Sequence, residues 1–226
     1  KAIQIRFEPG SINFWRFAVA LETPNVEITN TDTVQADPFF QSFPDFTARV
    51  KYGNKSEWGH IQLASVFRSI TVRDPDENLQ ILAGYGGLLS GRIIFKKSYK
   101  INFQFVGGKG ISNYIKALNG TGLDAVYNPQ EGIYKLLTSY GGFLSLTHQW
   151  NKLFASQVTS GSTFVVNQDF QPPDAFRYSY YFSFNSFFNY SKVINFGLEY
   201  SYGERINKDD ESGNANRISF ISIIDF

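Results

Sequence analysis

Alternation with a period of two residues constrains this chain more than any other property. In Phe176-Arg177-Tyr178-Ser179-Tyr180-Tyr181-Phe182-Ser183-Phe184 every even position is aromatic and the odd positions are mostly polar. A strand sends alternate side chains to opposite faces, so such a segment has one apolar face and one polar face. Eleven stretches read this way, at about 2–8, 12–22, 45–53, 57–73, 80–95, 99–107, 132–150, 153–168, 175–190, 193–206 and 216–226. No clear helices lie between them to cover a sheet. The pattern predicts an all-β fold: a transmembrane antiparallel up-and-down β-barrel, lipid outside and water inside, as a single domain over 1–226.

Composition agrees with that reading. Aromatic residues make up 17 % of the chain, with 23 Phe and 13 Tyr, yet the mean hydropathy is only −0.23. A membrane barrel gives this combination because half of each strand faces water. No run of 18 apolar residues is present to make a transmembrane helix. The net charge of +1 argues against a bulk nucleic-acid binder. The absence of cysteine excludes disulfides and thiolate metal sites, and no cofactor is implied.

The connections alternate in length. Pro9-Gly10-Ser11, Asn54-Lys55-Ser56, Lys96-Lys97-Ser98, Asn151-Lys152 and Ser191-Lys192 read as tight turns; 23–44, 74–79, 108–131, 169–174 and 207–215 read as longer links. Outer-membrane barrels put their short turns on the periplasmic side. Trp15, Trp58, Trp150, Tyr99, Phe154 and Tyr190 lie near the short turns, as an interfacial aromatic girdle would. Bacterial barrels have an even strand number, so an odd count of eleven leads to the expectation that an odd number of strands precedes Lys1. Neither an initiating methionine nor a signal peptide is visible. Within 108–131, Ile111–Leu118 is expected to form one short helix at the mouth. Tyr85-Gly86-Gly87-Leu88-Leu89-Ser90 is echoed by Tyr140-Gly141-Gly142-Phe143-Leu144-Ser145, and paired glycines in strands mark bends or close approach.

Alternation also assigns faces. The outward set includes Ile5, Phe7, Trp15, Phe17, Phe103, Phe105, Leu144, Tyr180, Phe182, Leu198, Tyr200, Ile218 and Phe220. Among the inward charges ten are basic, namely Arg6, Arg16, Arg49, Lys51, Arg68, Arg92, Lys100, Arg177, Arg205 and Arg217. Four are acidic, namely Glu8, Glu22, Glu199 and Asp225. Arg6, Arg16, Arg49 and Arg92 each fall about four residues from a tight turn and are expected to form a basic wall. The inward positions from 132 to 201 are mostly Ser, Thr, Asn and Gln. A lumen lined by one sign of charge concentrates counter-ions, and guanidinium groups grip carboxylate or phosphate oxygens in pairs. The expectation is a channel favouring small anionic solutes. The competing reading pairs these arginines with acids elsewhere, on preceding strands or on an inward-folded loop.

Chemistry of other kinds is poorly represented. His148 with Ser156 on the next strand is a thin candidate for a barrel hydrolase, and no catalytic set surrounds it. Gly107-Gly108-Lys109-Gly110 lacks the spacing of a phosphate loop. Lys208-Asp209-Asp210-Glu211 is acidic but lacks an EF-hand pattern. At the end of the chain Phe226, Ile224, Phe220 and Ile218 repeat on one face, with Ser222 the weak member. Phe220, Ile224 and Phe226 resemble the terminal signature by which outer-membrane barrels are recognised by the barrel-assembly machinery.

With these residues in view, the chain resembles bacterial outer-membrane porins and, more narrowly, the DcaP-like family of trimeric porins. The segments that carry the resemblance are Ala2-Ile3-Gln4-Ile5-Arg6-Phe7, Trp15-Arg16-Phe17-Ala18-Val19-Ala20-Leu21-Glu22, Phe46-Thr47-Ala48-Arg49-Val50, and His60-Ile61-Gln62-Leu63-Ala64 running into Val66-Phe67-Arg68. The resemblance implies a homotrimer of roughly 16-stranded barrels in the outer membrane of a Gram-negative bacterium. It also implies passive uptake of small anions such as dicarboxylates, about five strands before Lys1, and a constriction loop among them. The alternatives are a structural barrel within a larger envelope assembly, a soluble β-sandwich, and a barrel enzyme.

Overall fold

The structure, a computed structural model, describes residues 3–29, 41, 43–54, 58–73, 78–191 and 193–224. In chain order its strands are β1 (Gln4–Phe7), β2 (Trp15–Glu22), β3 (Ile28–Thr29), β4 (Asp45–Asn54), β5 (Gly59–Arg73), β6 (Leu79–Phe95) and β7 (Tyr99–Lys109), followed by β8 (Ala125–Asn128), β9 (Ile133–Leu136), β10 (Thr138–Gln149), β11 (Phe154–Val166), β12 (Phe176–Asn189), β13 (Ile194–Asn207) and β14 (Ser212–Ile224). Eleven of them form one sheet in the order β1-β2-β4-β5-β6-β7-β10-β11-β12-β13-β14. Every neighbouring pair in it is antiparallel, which gives an up-and-down sheet with β1 and β14 at its edges. The eleven alternating stretches are therefore these eleven strands. Asp225 and Phe226, with Lys55, Ser56, Lys192 and most of the link 23–44, lie outside the described residues.

The ladder registers settle the two faces. Ala18 pairs with Arg49, Arg49 with Ala64, Ala64 with Leu88 and Leu88 with Val106. On the far side Ser145 pairs with Thr159, Thr159 with Ser183, Ser183 with Ser201 and Ser201 with Arg217. Directly paired residues share a face, so the laddered residues read as inward fall on one side; Arg177, in the register shift of β12, has no ladder partner. The opposite side is apolar and bare. Ile5 is 78 % exposed, Leu198 53 % and Phe220 69 %. Such a continuous apolar face belongs in lipid. Its tight-turn margin is a chain of ring contacts: Trp15–Tyr52 at 4.7 Å, Tyr52–Trp58 at 5.8 Å, Phe95–Tyr99 at 4.9 Å, Tyr99–His148 at 4.3 Å and His148–Trp150 at 4.3 Å. Lys96 and Lys97 both take positive φ, 49° and 56°, in the turn Lys96–Ser98 that joins the paired residues Phe95 and Tyr99.

Two expectations are corrected by the segment between β7 and β10. The stretch 132–150 is not one strand. It breaks at Leu137, which is fully buried and whose N–H donates to the Asp124 carbonyl. The part before the break, β9, leaves the large sheet and joins β3 and β8 in a three-stranded one. Ile111–Leu118 is not one helix but two single 3₁₀ turns, Ser112–Tyr114 and Lys116–Leu118, with Ile115 extended between them. Ile115 leaves the helical region because its side chain seats in the sheet, as described below.

The whole segment 110–137 folds back onto the inward face as a strap. One apolar cluster joins Val66 of β5 and Val165 of β11 to Ile111, Ile115, Leu118, Leu123, Val126 and Leu137. Val66 and Val165 are four strand steps apart, roughly 19 Å across a flat sheet. The strap, with buried residues from Ile111 to Leu137, reaches both. A second cluster packs Ala125 and Tyr134 against Ile70 and Val72. β5 and β6 run 15 and 17 residues, past the 9–11 or so that cross a bilayer, and their extra length carries this second contact.

These faces make a direct prediction. Leu198→Arg puts a charge on the lipid side near mid-strand and should lower folding stability in vesicles by about 2–4 kcal/mol. Glu199→Arg, one residue along, should change it by less than about 1 kcal/mol. Urea titration of the refolded protein measures both; equal penalties would show that the faces are wrongly assigned.

Candidate functional site

The inward face has two unlike halves. Across β10 to β13 it is a wall of hydroxyls. Ser145, Ser183 and Ser201 are all buried among their neighbours, and Ser145 Oγ accepts from Gln157 Nε2 at 2.7 Å and Thr159 Oγ1 at 2.9 Å. Across β1 to β7 it is cationic. Arg16 stands directly opposite Lys51, Arg49 opposite Ala18 and Ala64, and Arg92 opposite His60 and Asn102. The tight-turn ends step along the ladder in the same direction, from Asn54–Gly59 to Phe95–Tyr99. Arg49 and Arg92 therefore keep similar distances from their own turns, and the expected wall is a diagonal stripe.

The ten basic candidates separate by environment. Arg6, Arg16, Arg92 and Lys100 are exposed, while Arg49 and Lys51 are half-buried. Glu8 accepts from two of them, Arg6 Nη2 at 3.0 Å and Arg49 Nη2 at 3.3 Å. Arg92 Nε donates to Asn102 Oδ1 at 2.8 Å. Arg177 sits at a register shift at the start of β12 and pairs with Asp210 at 2.8 Å. Arg205 lies over the Phe176 ring and donates to Asn207 and to the Asp174 carbonyl. Both belong to the loop end of the sheet. Arg217 is exposed on edge strand β14.

Arg68 departs from expectation. It points inward but its side chain has no exposure at all, so it does not line open lumen. Its Nε donates to Asp45 Oδ2 at 2.9 Å, and its Nη1 to Asp124 Oδ2 at 3.1 Å and to the Gly110 carbonyl at 2.7 Å. Nη2 donates to the Asn25 carbonyl, and the guanidinium lies 5.2 Å from the Tyr114 ring centroid. Asp124 belongs to the strap and also accepts from Ser112 Oγ and from the Asn113 and Glu27 N–H groups. Tyr114 donates its one proton to Asp45 Oδ2 at 2.9 Å, with Glu22 Oε2 also within reach at 3.3 Å. Burial first, then the Asp45 carboxylate, push the Tyr114 phenol well above its ordinary pKa, so it stays a neutral donor. For this one arginine the competing reading holds: it is paired with an acid of an inward-folded loop.

The glycine echo has the same cause. An added Cβ at Gly86 would lie 2.7 Å from Ile111 Cδ1, and one at Gly141 would lie 3.1 Å from Ile115 Cγ2. The first inward glycine of each Tyr-Gly-Gly run is thus a seat for a strap isoleucine. The outward-facing Gly107 and Gly142 take the rings of Tyr140 and Phe105 instead. Gly110, at φ +63°, turns the chain into the strap.

Sequence reading missed Lys116. Ile115 and Leu118 are buried against the wall, which leaves Lys116 and Ala117 exposed on the opposite, lumen side of the strap. The apolar spacing around Lys116 was the available signal. The histidine candidate is resolved by its neighbours. His148 is opposite Ser156 in register, but Ser156 Oγ accepts from Trp150 Nε1 at 2.9 Å and His148 packs between Tyr99 and Trp150. The link expected over 207–215 is shorter than that, a turn over Lys208–Glu211 at the loop end between β13 and β14, and no cluster of potential metal ligands occurs among the described residues.

Removing the guanidinium would leave two carboxylates buried without a counter-charge. Arg68→Ala should destabilise the strap by about 3–5 kcal/mol, and Tyr114→Phe by about 1 kcal/mol. Limited proteolysis within 110–137 and thermal unfolding in detergent measure both. An Arg68→Ala protein as resistant as the native one would contradict the arrangement.

The comparisons with known proteins follow this geometry. The model of a family described as DcaP outer membrane protein matches residues 1–226. The outer membrane channel DcaP of Acinetobacter baumannii superposes with a TM-score of 0.82 at 15 % sequence identity, over 99 % of this chain and 62 % of that one. This chain thus spans 62 % of that channel's length, and at such identity the likeness establishes the fold alone. The NanC porin covers 99 % of this chain and 92 % of its own at 14 % identity, with a TM-score of 0.44, too loose to carry an argument. A search of the curated proteins finds no match. With its whole length matched by the family model, this outer-membrane chain belongs to the DcaP outer membrane protein family.

Proposed function

We propose that the chain forms the wall of an outer-membrane porin for passive diffusion of small hydrophilic solutes, favouring anions such as dicarboxylates. One observation carries the reading: the cations of β1 to β7 share the inward face, and the apolar side chains share the other. Among the described strand residues of that half, Glu8 and Glu22 are the inward acids outside the buried cluster. Glu8 is divided between two arginines, and Glu22 accepts from Thr47 with the Tyr114 hydroxyl within reach. Arg16, Arg92, Lys100 and the strap's Lys116 supply surplus positive charge. A one-signed surface in a confined lumen raises the local concentration of anions, and salt screens it over about 8–10 Å.

Removing Arg68 from the pore-lining set sharpens this account, because its charge is already matched in the buried cluster. The inward face of β10 to β13, mostly hydroxyls and amides with Glu199 among them, adds no comparable cationic stripe among the described residues. In the same reading the protein assembles as a homotrimer, and Phe220 and Ile224 take part in recognition by the barrel-assembly machinery. The role given to Phe226 concerns a residue outside the described ones.

The test is electrical. Across a salt gradient in planar bilayers, the full protein should show reversal potentials of anion preference. Joint replacement of Arg6, Arg16, Arg49 and Arg92 by Gln should reduce the anion-to-cation permeability ratio several-fold at low salt and less at high salt. Lys116→Gln alone should move it in the same direction by a smaller amount. Cation preference in the native protein would overturn the proposal, and unchanged selectivity in the fourfold variant would move the filter elsewhere.

A further inference from the structure

Between the strap and the wall of β2, β4, β5 and β6 lies a hollow of about 270 Å³. Next to the charged positions of Arg6, Arg16 and Arg49, the inward positions Ala18, Ala20, Ala64 and Leu88 are small or apolar here, with Ile111 and Tyr114 of the strap beside them. Ile111 takes the Gly86 seat at one side and leaves the remaining space unfilled. An apolar floor open to a water-filled lumen is unfavourable by itself and favours an occupant with an apolar body.

The polar groups around the hollow are not symmetrical. At the tight-turn side are Arg6 and Arg49, which share the single carboxylate of Glu8. Two guanidiniums on one carboxylate leave donors to spare. At the loop side stands Glu22, with one oxygen accepting from Thr47 and the other within reach of the Tyr114 hydroxyl. A ligand carboxylate is welcome at the first end and repelled at the second.

We infer that this hollow is a binding subsite for small monocarboxylates with a compact apolar body, an aryl ring or a short branched chain. The carboxylate lies at Arg6 and Arg49, and the body rests on the alanine floor beside Tyr114. A second carboxylate on the far side of the body would meet Glu22. The size agrees, since the volume falls at the lower limit of small-molecule sites, about 300 Å³. This subsite rests on the anion-favouring reading and adds a preference that charge alone does not give.

The experiment uses the full protein in planar bilayers, with benzoate, acetate and succinate as probes of single-channel current. Benzoate should interrupt the current at roughly tenfold lower concentration than acetate, the gain expected from burying part of a ring. Succinate should show no such gain. Ala20→Leu together with Ala64→Leu fills the hollow and should bring benzoate to within roughly twofold of acetate, a residual too small for any buried ring. Chloride current reports that the variant still forms a channel, and Ala64→Val serves as a milder filling if the double variant does not. A native channel that is anion-selective but indifferent to benzoate overturns the subsite alone. A cation-selective native channel overturns the anion reading and the subsite with it. A benzoate preference that survives filling also overturns the subsite.

Discussion

The position of the strap depends on one buried guanidinium. A guanidinium buried without counter-charges is costly, so the partners of Arg68 are buried with it. Asp45 from the start of β4, Asp124 from the strap and two backbone carbonyls meet that demand. Apolar docking and ion pairing divide the work. Burying each of Ile111, Ile115, Leu118, Leu123 and Leu137 contributes about 1.5–3 kcal/mol, whereas a buried ion pair compared with apolar residues of similar shape is near neutral. The isoleucine and leucine side chains therefore hold the strap down. The guanidinium fixes where along β5 it docks, because any other register would part Asp124 from Arg68 and leave a buried carboxylate without its counter-charge.

The same period-two rule then divides the molecule's chemistry. Outward positions carry the apolar band and the chain of aromatic rings at the tight-turn margin. Inward positions carry the cationic stripe, the hydroxyl wall and the glycine seats. Because every backbone group of a spanning strand must be paired by its neighbours, the sheet is rigid, and variation is confined to which side chains it presents. The strap changes the inward face without breaking the sheet. It covers Arg68, withdraws Asp45 from the lumen, and brings Lys116 and Tyr114 into it.

Much of the fold was legible because it is written at short range. Each strand declares itself within about ten residues by alternation, and the inward residues that the ladders pair, Arg6 through Ser219, lie on the side that alternation gives them; Arg177, at a register shift, is not among them. The strap was not legible, because what defines it is long-range. β3 pairs in parallel with β8 across nearly a hundred residues, and Asp124 meets Arg68 across 56. No local pattern announces such contacts. Ile111–Leu118 has helical spacing, yet Ile115 is drawn out of the helix by the seat at Gly141. Arg68 has the same local pattern as Arg49, and only the strap separates a buried residue from a lumen one. The repeated Tyr-Gly-Gly was the one visible trace of the strap, since close approach by another segment is among the few reasons for glycine in a strand.

The account stands on the strap lying against the wall while the channel is open. The chain has no cysteine, so Ile115→Cys with Gly141→Cys supplies a unique thiol pair at one seat. Oxidation of the outer-membrane protein should link that pair efficiently, and the single-channel conductance of the linked form should equal that of the reduced form. Failure to link, or a conductance that rises when the link is reduced, would show that the strap leaves the wall in the conducting state and would contradict the account.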